Sequence, residues 1–168
     1  MKIDYLQALK RVADARGTWI LHGQEPLLEQ NLLDAFRQSW QVQETERQRY
    51  DISSVSDWKH VFNALNSLSL LSQHLAVEVH GNIKPDAGAL KQLKNYIQHN
   101  ESDLMLVVMP KQDSSSLKSA FFQVVEANGV VVPLVANYPK ERQQILSIEA
   151  EKLGIQLDQE AWQWLMQH

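Results

Sequence analysis

Thr18–Arg37, TWILHGQEPLLEQNLLDAFR, decides how the rest of the chain is read. Trp19, Ile20 and Leu21 are a short apolar run ending at Gly23, the pattern of a buried strand running into a turn. Pro26 stands where a first helical residue would, and its missing N–H costs nothing there. Leu28, Leu32, Leu33 and Phe36 follow at helical spacing, with Leu27 beside them. A strand that passes through Gly into a helix N-terminus is where α/β proteins cradle a phosphate. The chemistry of that cradle is missing here. A P-loop reads G-x-x-x-x-G-K-[ST]. Counted from Gly23, the later Gly, Lys and Ser/Thr positions hold Leu28, Glu29 and Gln30. Glu25 and Glu29 add negative charge where a phosphate would lie. Gly23, Glu29 and Gln30 therefore mark a degenerate, non-binding phosphate loop.

Outward from that stretch, apolar segments alternate with helical stripes. Residues 3–15 predict an amphipathic helix with Ile3, Leu6, Leu9 and Val12 on one face, stopped by Gly17. ERQRYDI at 46–52 predicts a second strand. Trp58, Val61, Phe62 and Leu65 mark a helix over about 56–66. SLSLLSQ at 67–73 fits neither period and reads as a loop. LAVEVH at 75–80 predicts a third strand, followed by a Gly/Pro/Asn/Asp loop. Leu90, Leu93, Tyr96 and Ile97 make the next helical stripe. DLMLVVM at 103–109 is apolar on both faces, as a central parallel strand should be. One further helix carries Leu117, Phe121, Val124 and Val125 to an Asn128–Gly129 stop. VVVPL at 130–134 is a last strand whose Pro133 marks its end or an edge. Five strands with helices between them predict a mainly parallel sheet covered on both faces. Beyond Val135 the pattern is helical only, which sets a boundary near Asn137–Tyr138.

Composition excludes several function classes. The chain has 168 residues, 44% of them hydrophobic, enough for a sizeable core. A net charge of −4 argues against a wholly basic nucleic-acid binder. There is no Cys, so disulfide and thiolate chemistry are absent. The N-terminus has no apolar core of signal-peptide type, and no apolar run approaches the roughly 18 residues of a membrane span. A cytoplasmic protein without membrane contact is expected. His22, His60, His74, His80, His99 and His168 are scattered and form no H-x-x-x-H pair, so no metal site is expected. G-x-S-x-G is absent. Lys111 and Lys118 read as a solvated helix face, and the Trp residues as core.

Four segments in register carry a family resemblance. LHGQEPLLEQNLLDAFRQ, DWKHVFNALNSLSLLSQHLAVEV, LVVMPKQDSSSLKSAFFQVVEANGVVV and AEKLGIQLDQEAWQWL resemble, in order, the N-terminal part of the delta subunit of the bacterial DNA polymerase III clamp loader. The resemblance implies an AAA+-like fold without a working ATP site, in agreement with the reading of Gly23–Gln30. It implies residues 1–137 as the AAA+-like domain and 138–168 as the start of a small helical, lid-like domain. Trp162, Trp164 or Leu165 would then be exposed or buried against another chain. The family's delta grips the sliding clamp through an apolar pair in a Ser-Leu-Phe loop. That loop here reads Ser69-Leu70-Leu71, with leucine in place of the aromatic. Leu68 reads as core. The implied partners are the sliding clamp, the other loader subunits through a collar domain C-terminal to this sequence, and DNA indirectly through the complex. No cofactor and no catalytic activity of the chain itself are expected, although the family belongs to the polymerase holoenzyme. The residues alone leave two alternatives: an α/β interaction module with another partner, and a degenerate P-loop nucleotide-binding protein.

Overall fold

The computed structural model describes residues 1–68, 74–100, 102–136 and 139–167. Five strands form one sheet: β1 (Gly17–Gly23), β2 (Glu46–Ile52), β3 (Leu75–Gly81), β4 (Leu104–Met109) and β5 (Val130–Leu134). Their order is β2-β3-β4-β1-β5, and every pairing is parallel. β4 is the central strand, as its two-sided apolar run predicts, and all six of its residues are buried. β5, with Pro133, is an edge strand.

The helices are α1 (Tyr5–Leu9), α2 (Pro26–Val42), α3 (Asp57–Leu68), α4 (Ala87–His99), α5 (Ser114–Leu117) and α6 (Ala120–Asn128). Alternate strand residues point to opposite faces of the sheet. Ile20, Val77, Val79, Met105, Val107 and Val131 face one way, into a cluster with Trp58, Phe62 and Leu65 of α3, Leu93 of α4, and Phe121 and Phe122 of α6. The other face takes α2: the Trp19 ring meets Phe36 edge-on at 5.5 Å, and Phe36 lies against Trp40. Each buried aromatic of this size removes on the order of 150–250 Å² from water.

The first predicted helix is wrong in extent. The backbone N–H of Ile3 donates to the Val131 carbonyl and Lys2 bridges to Val131, so the chain start is extended along β5. α1 begins only after Asp4, whose side chain accepts from the Gln7 N–H in a capping box. A separate 3₁₀ turn, Val12–Asp14, follows it. The buried residues are therefore Ile3, Tyr5, Ala8 and Ala15, with Leu6, Leu9 and Val12 half-buried. The single helix expected over 117–128 is likewise two, because Ser119 is extended (φ −64°, ψ 158°) between α5 and α6.

α2 ends in a Schellman motif: the Thr45 N–H donates to the Trp40 carbonyl and the Glu44 N–H to that of Gln41. The left-handed position of that motif, at φ 54°, is Glu44 rather than glycine. Glu44→Gly is expected to raise stability by about 0.5–1 kcal/mol, since the left-handed conformation strains a residue with a Cβ. Chemical denaturation of the two proteins measures it.

Two compact units divide at Leu134/Val135. The second contains α7 (Pro139–Lys152) and α8 (Gln159–Gln167), with Gly154 between them in a left-handed conformation (φ 68°). Trp164 is 59% exposed, and Leu153 and Ile155 are also exposed. Among the described residues, no helix is long and apolar enough to cross a membrane.

Candidate functional site

In an open parallel sheet, ligands are held at the carboxyl ends of the strands. There β1 ends at Gly23 and α2 begins at Pro26, so only Gln24 and Glu25 join them. A phosphate cradle needs loop residues whose N–H groups converge on the ligand. Here the positions that a P-loop would give to Gly, Lys and Ser/Thr are already inside α2. Pro26 supplies no N–H, and the Glu29 N–H is taken by the Glu25 carbonyl. Glu29 lies in the first helical turn, where its charge suits the helix dipole and opposes an anion. Gln30 is exposed and donates to the Asp34 carboxylate at 3.0 Å. Gly23 has a packing explanation: it pairs with Leu134, and a Cβ there would lie 2.8 Å from both the Cβ and the carbonyl oxygen of that residue. Beside it, His22 is buried against Phe122 at 5.5 Å. Burial first, and the charge of Lys2 second, lower its pKa.

The opposite, amino edge of the sheet holds the stems of the second candidate. Ser69, Leu70 and Leu71 lie outside the described residues, as do the other positions of 69–73 and the side chain of Leu68. Both flanks are described. Asp57 opens the region before α3 by accepting from the Ser53 and Ser54 N–H groups, and those backbone bonds lower its pKa. Trp58, Val61, Phe62 and Leu65 then bury one face of α3, and the Trp58 indole donates to the Ile83 carbonyl at 2.8 Å. On the other flank, the His74 carbonyl accepts from the Glu46 N–H, and the Leu75 N–H donates to Asp103 Oδ1 at 3.1 Å. Among the described residues, no group of His, Cys, Asp and Glu side chains could hold a metal.

The profile of the family described as DNA polymerase III, delta subunit, matches residues 19–135. The chain belongs to that family. No curated protein matches the sequence. Among solved structures, this delta-family chain is similar to the Bacillus subtilis DNA clamp loader delta protein YqeN. The TM-score is 0.61 at 14% identity, over 88% of this chain and 47% of that one. It is also similar to AMPPCP-bound DnaA from Aquifex aeolicus (TM-score 0.55, 12% identity, 96% of this chain and 54% of that one). A point variant of Thermotoga maritima RuvB gives a TM-score of 0.54 at 15% identity, over 96% of this chain and 53% of that one. These likenesses show the fold, which is AAA+-like. The chain spans about half the length of each of these proteins.

Two polar devices of the delta-family chain escaped the motif reading. Glu78 of β3 is fully buried, with Arg37 of α2 at 2.9 Å, Arg47 of β2 at 2.6 Å and the His80 ring at 3.7 Å. Loss of solvent raises the Glu78 pKa, but close approach of His80, Arg37 and Arg47 outweighs it and holds the carboxyl at about 2. A lone carboxylate within the apolar run LAVEVH was the available signal, since a buried charge demands a partner. Asp103 is the second: it is buried beside Tyr96, whose phenol is pushed upward by burial and then by the Asp103 charge.

Proposed function

We propose that this chain acts as a non-catalytic clamp-loader subunit that binds the DNA polymerase III sliding clamp and helps open it for loading onto DNA during replication. The family match over residues 19–135 carries this reading. Leu70 and Leu71, with Ser69, are the clamp contact. The described residues on either side of them close α3 and open β3, at the other end of the strands from the degenerate turn at Gly23, Glu29 and Gln30. Residues 1–137 act as an AAA+-like domain without a working nucleotide site, and 138–168 as the start of the lid-like helical domain. Other loader subunits are met through the rest of the family's length, and DNA indirectly through the assembled complex, in the cytoplasm.

Titration of the purified chain with sliding clamp tests this reading. Saturable binding is expected, with the same affinity in the presence and absence of Mg-ATP. Absence of binding would overturn the clamp assignment. Affinity that depends on ATP would restore the nucleotide-binding alternative, because Glu29 and Gln30 replace the Lys and hydroxyl that place phosphate and metal.

A further inference from the structure

The sheet has one covered edge and one open one. Along β5 runs the chain start: the Ile3 N–H donates to the Val131 carbonyl, and the Val131 N–H donates to that of Met1. At the other end of the strand order stands β2, which among the described residues pairs with β3 alone. The Glu46 N–H donates to the His74 carbonyl. In this parallel ladder Glu46, Gln48, Tyr50 and Ile52 therefore turn their N–H and C=O groups inward to β3. Arg47, Arg49 and Asp51 turn theirs outward. Such an edge is a template for another strand, and charged side chains normally guard it. Here the order of the charges is self-complementary. A two-fold axis sets an edge strand antiparallel to its own copy. Placed at Tyr50, the axis brings Arg49 opposite the second copy's Asp51, and Asp51 opposite its Arg49. Each of these two pairs exchanges backbone hydrogen bonds through the outward groups. On the other face Tyr50, half-buried against the core, meets its own copy in the closer, non-hydrogen-bonded kind of pair. Arg49 and Asp51 lie 3.2 Å apart within the strand and keep 48% and 71% of their side-chain surface, so both can turn to new partners. Placed at Arg49 instead, the axis would set two Arg49 side chains face to face. Arg47, held by the buried Glu78, could not reach across to compensate. The pairing stops at Ser53, whose N–H is taken by the Asp57 carboxylate.

We propose that the open edge of β2 takes a second copy of this chain: two β2 strands pair antiparallel about Tyr50, tied by reciprocal Arg49–Asp51 pairs, into one continuous sheet. The proposal stands independently of the clamp reading.

Sedimentation of the whole chain at rising concentration tests it, beside thermal stability. A reversible monomer–dimer equilibrium is expected. Asp51→Arg sets arginine against arginine and should weaken dimerisation at least about tenfold, because symmetry counts each cross-strand pair twice. Adding Arg49→Asp restores opposite charges and should return the affinity to within about threefold of wild type. The register has its own test. The chain has no Cys, so Tyr50→Cys under mild oxidation should cross-link two copies, since opposed Cα atoms about 4.5 Å apart lie within disulfide range. Arg49→Cys, displaced from its own copy, should cross-link far more slowly. A monomer at every concentration would overturn the proposal. So would a dimer untouched by Asp51→Arg, or cross-linking as fast in Arg49→Cys as in Tyr50→Cys. Where Asp51→Arg does not fold, the two cysteine variants decide the matter alone.

Discussion

Arg37→Ala is expected to lower the stability of the α/β unit by about 3 kcal/mol, a fall in Tm of roughly 6–12 °C. The reason lies with its partner. Glu78 has no exposed side-chain surface, and Arg37 supplies one of the two guanidinium groups that meet it. Removing one member of a buried pair leaves a charge with reduced compensation, which costs about 3–5 kcal/mol when the pair is wholly enclosed. Arg37 keeps 28% of its side-chain surface and Arg47 keeps 42%, so the lower end applies. Combining Arg37→Met with Glu78→Leu should recover most of the loss, because an apolar pair of similar volume removes the need for compensation. The pH dependence follows from the same group. The folded-state pKa of Glu78, about 2, lies below the ordinary 4.5. Its contribution is therefore complete above about pH 4.5 and is lost as pH falls toward 2. Across that pH range, stability should change less for Glu78→Leu than for wild type. An Arg37→Ala variant within about 0.5 kcal/mol of wild type, the range of an ordinary surface substitution, would contradict this account.

Local pattern was sufficient wherever an element's neighbours are dictated by its own periodicity. The two-sided apolar run of β4 places it at the centre of the sheet, and Pro133 places β5 at an edge. Pro26 marks the start of α2 because its fixed φ suits a first turn. The failures share a cause, which is contact between residues far apart in sequence. Ile3 fits a helical stripe, yet a backbone bond to Val131 pulls it into an extended conformation. The packing reason for Gly23 is equally non-local: Leu134 of β5 leaves no room for a Cβ there. The partners of Glu78 are far from it in the chain, Arg37 on α2 and Arg47 on β2, so the strand pattern alone does not name them. Asp103 reads as the first residue of β4, yet it precedes the strand and holds the start of β3. The left-handed end of α2 was hidden for a different reason: Glu44 occupies the position where glycine would have announced it. For the proposed clamp contact, Leu70 and Leu71 follow from the family resemblance alone, and the fold describes only the residues on either side of them.

The central claim is that Leu70 and Leu71 enter an apolar pocket on the sliding clamp. Adjacent side chains in a loop diverge, so both leucines are buried together only where another surface wraps the loop. Burying a leucine contributes roughly 1.5–3 kcal/mol, and an interface anchor commonly costs ~2 kcal/mol or more when cut to alanine. The flanking serines at 67, 69 and 72 suit a segment that meets water in the free protein. The direct measurement is clamp affinity beside thermal stability for the double variant Leu70→Ala, Leu71→Ala. The account predicts binding weakened by at least ~30-fold, since each 1.4 kcal/mol is tenfold, with Tm close to wild type. Unchanged affinity would contradict the clamp contact, and a collapse in Tm would make the two leucines core anchors instead.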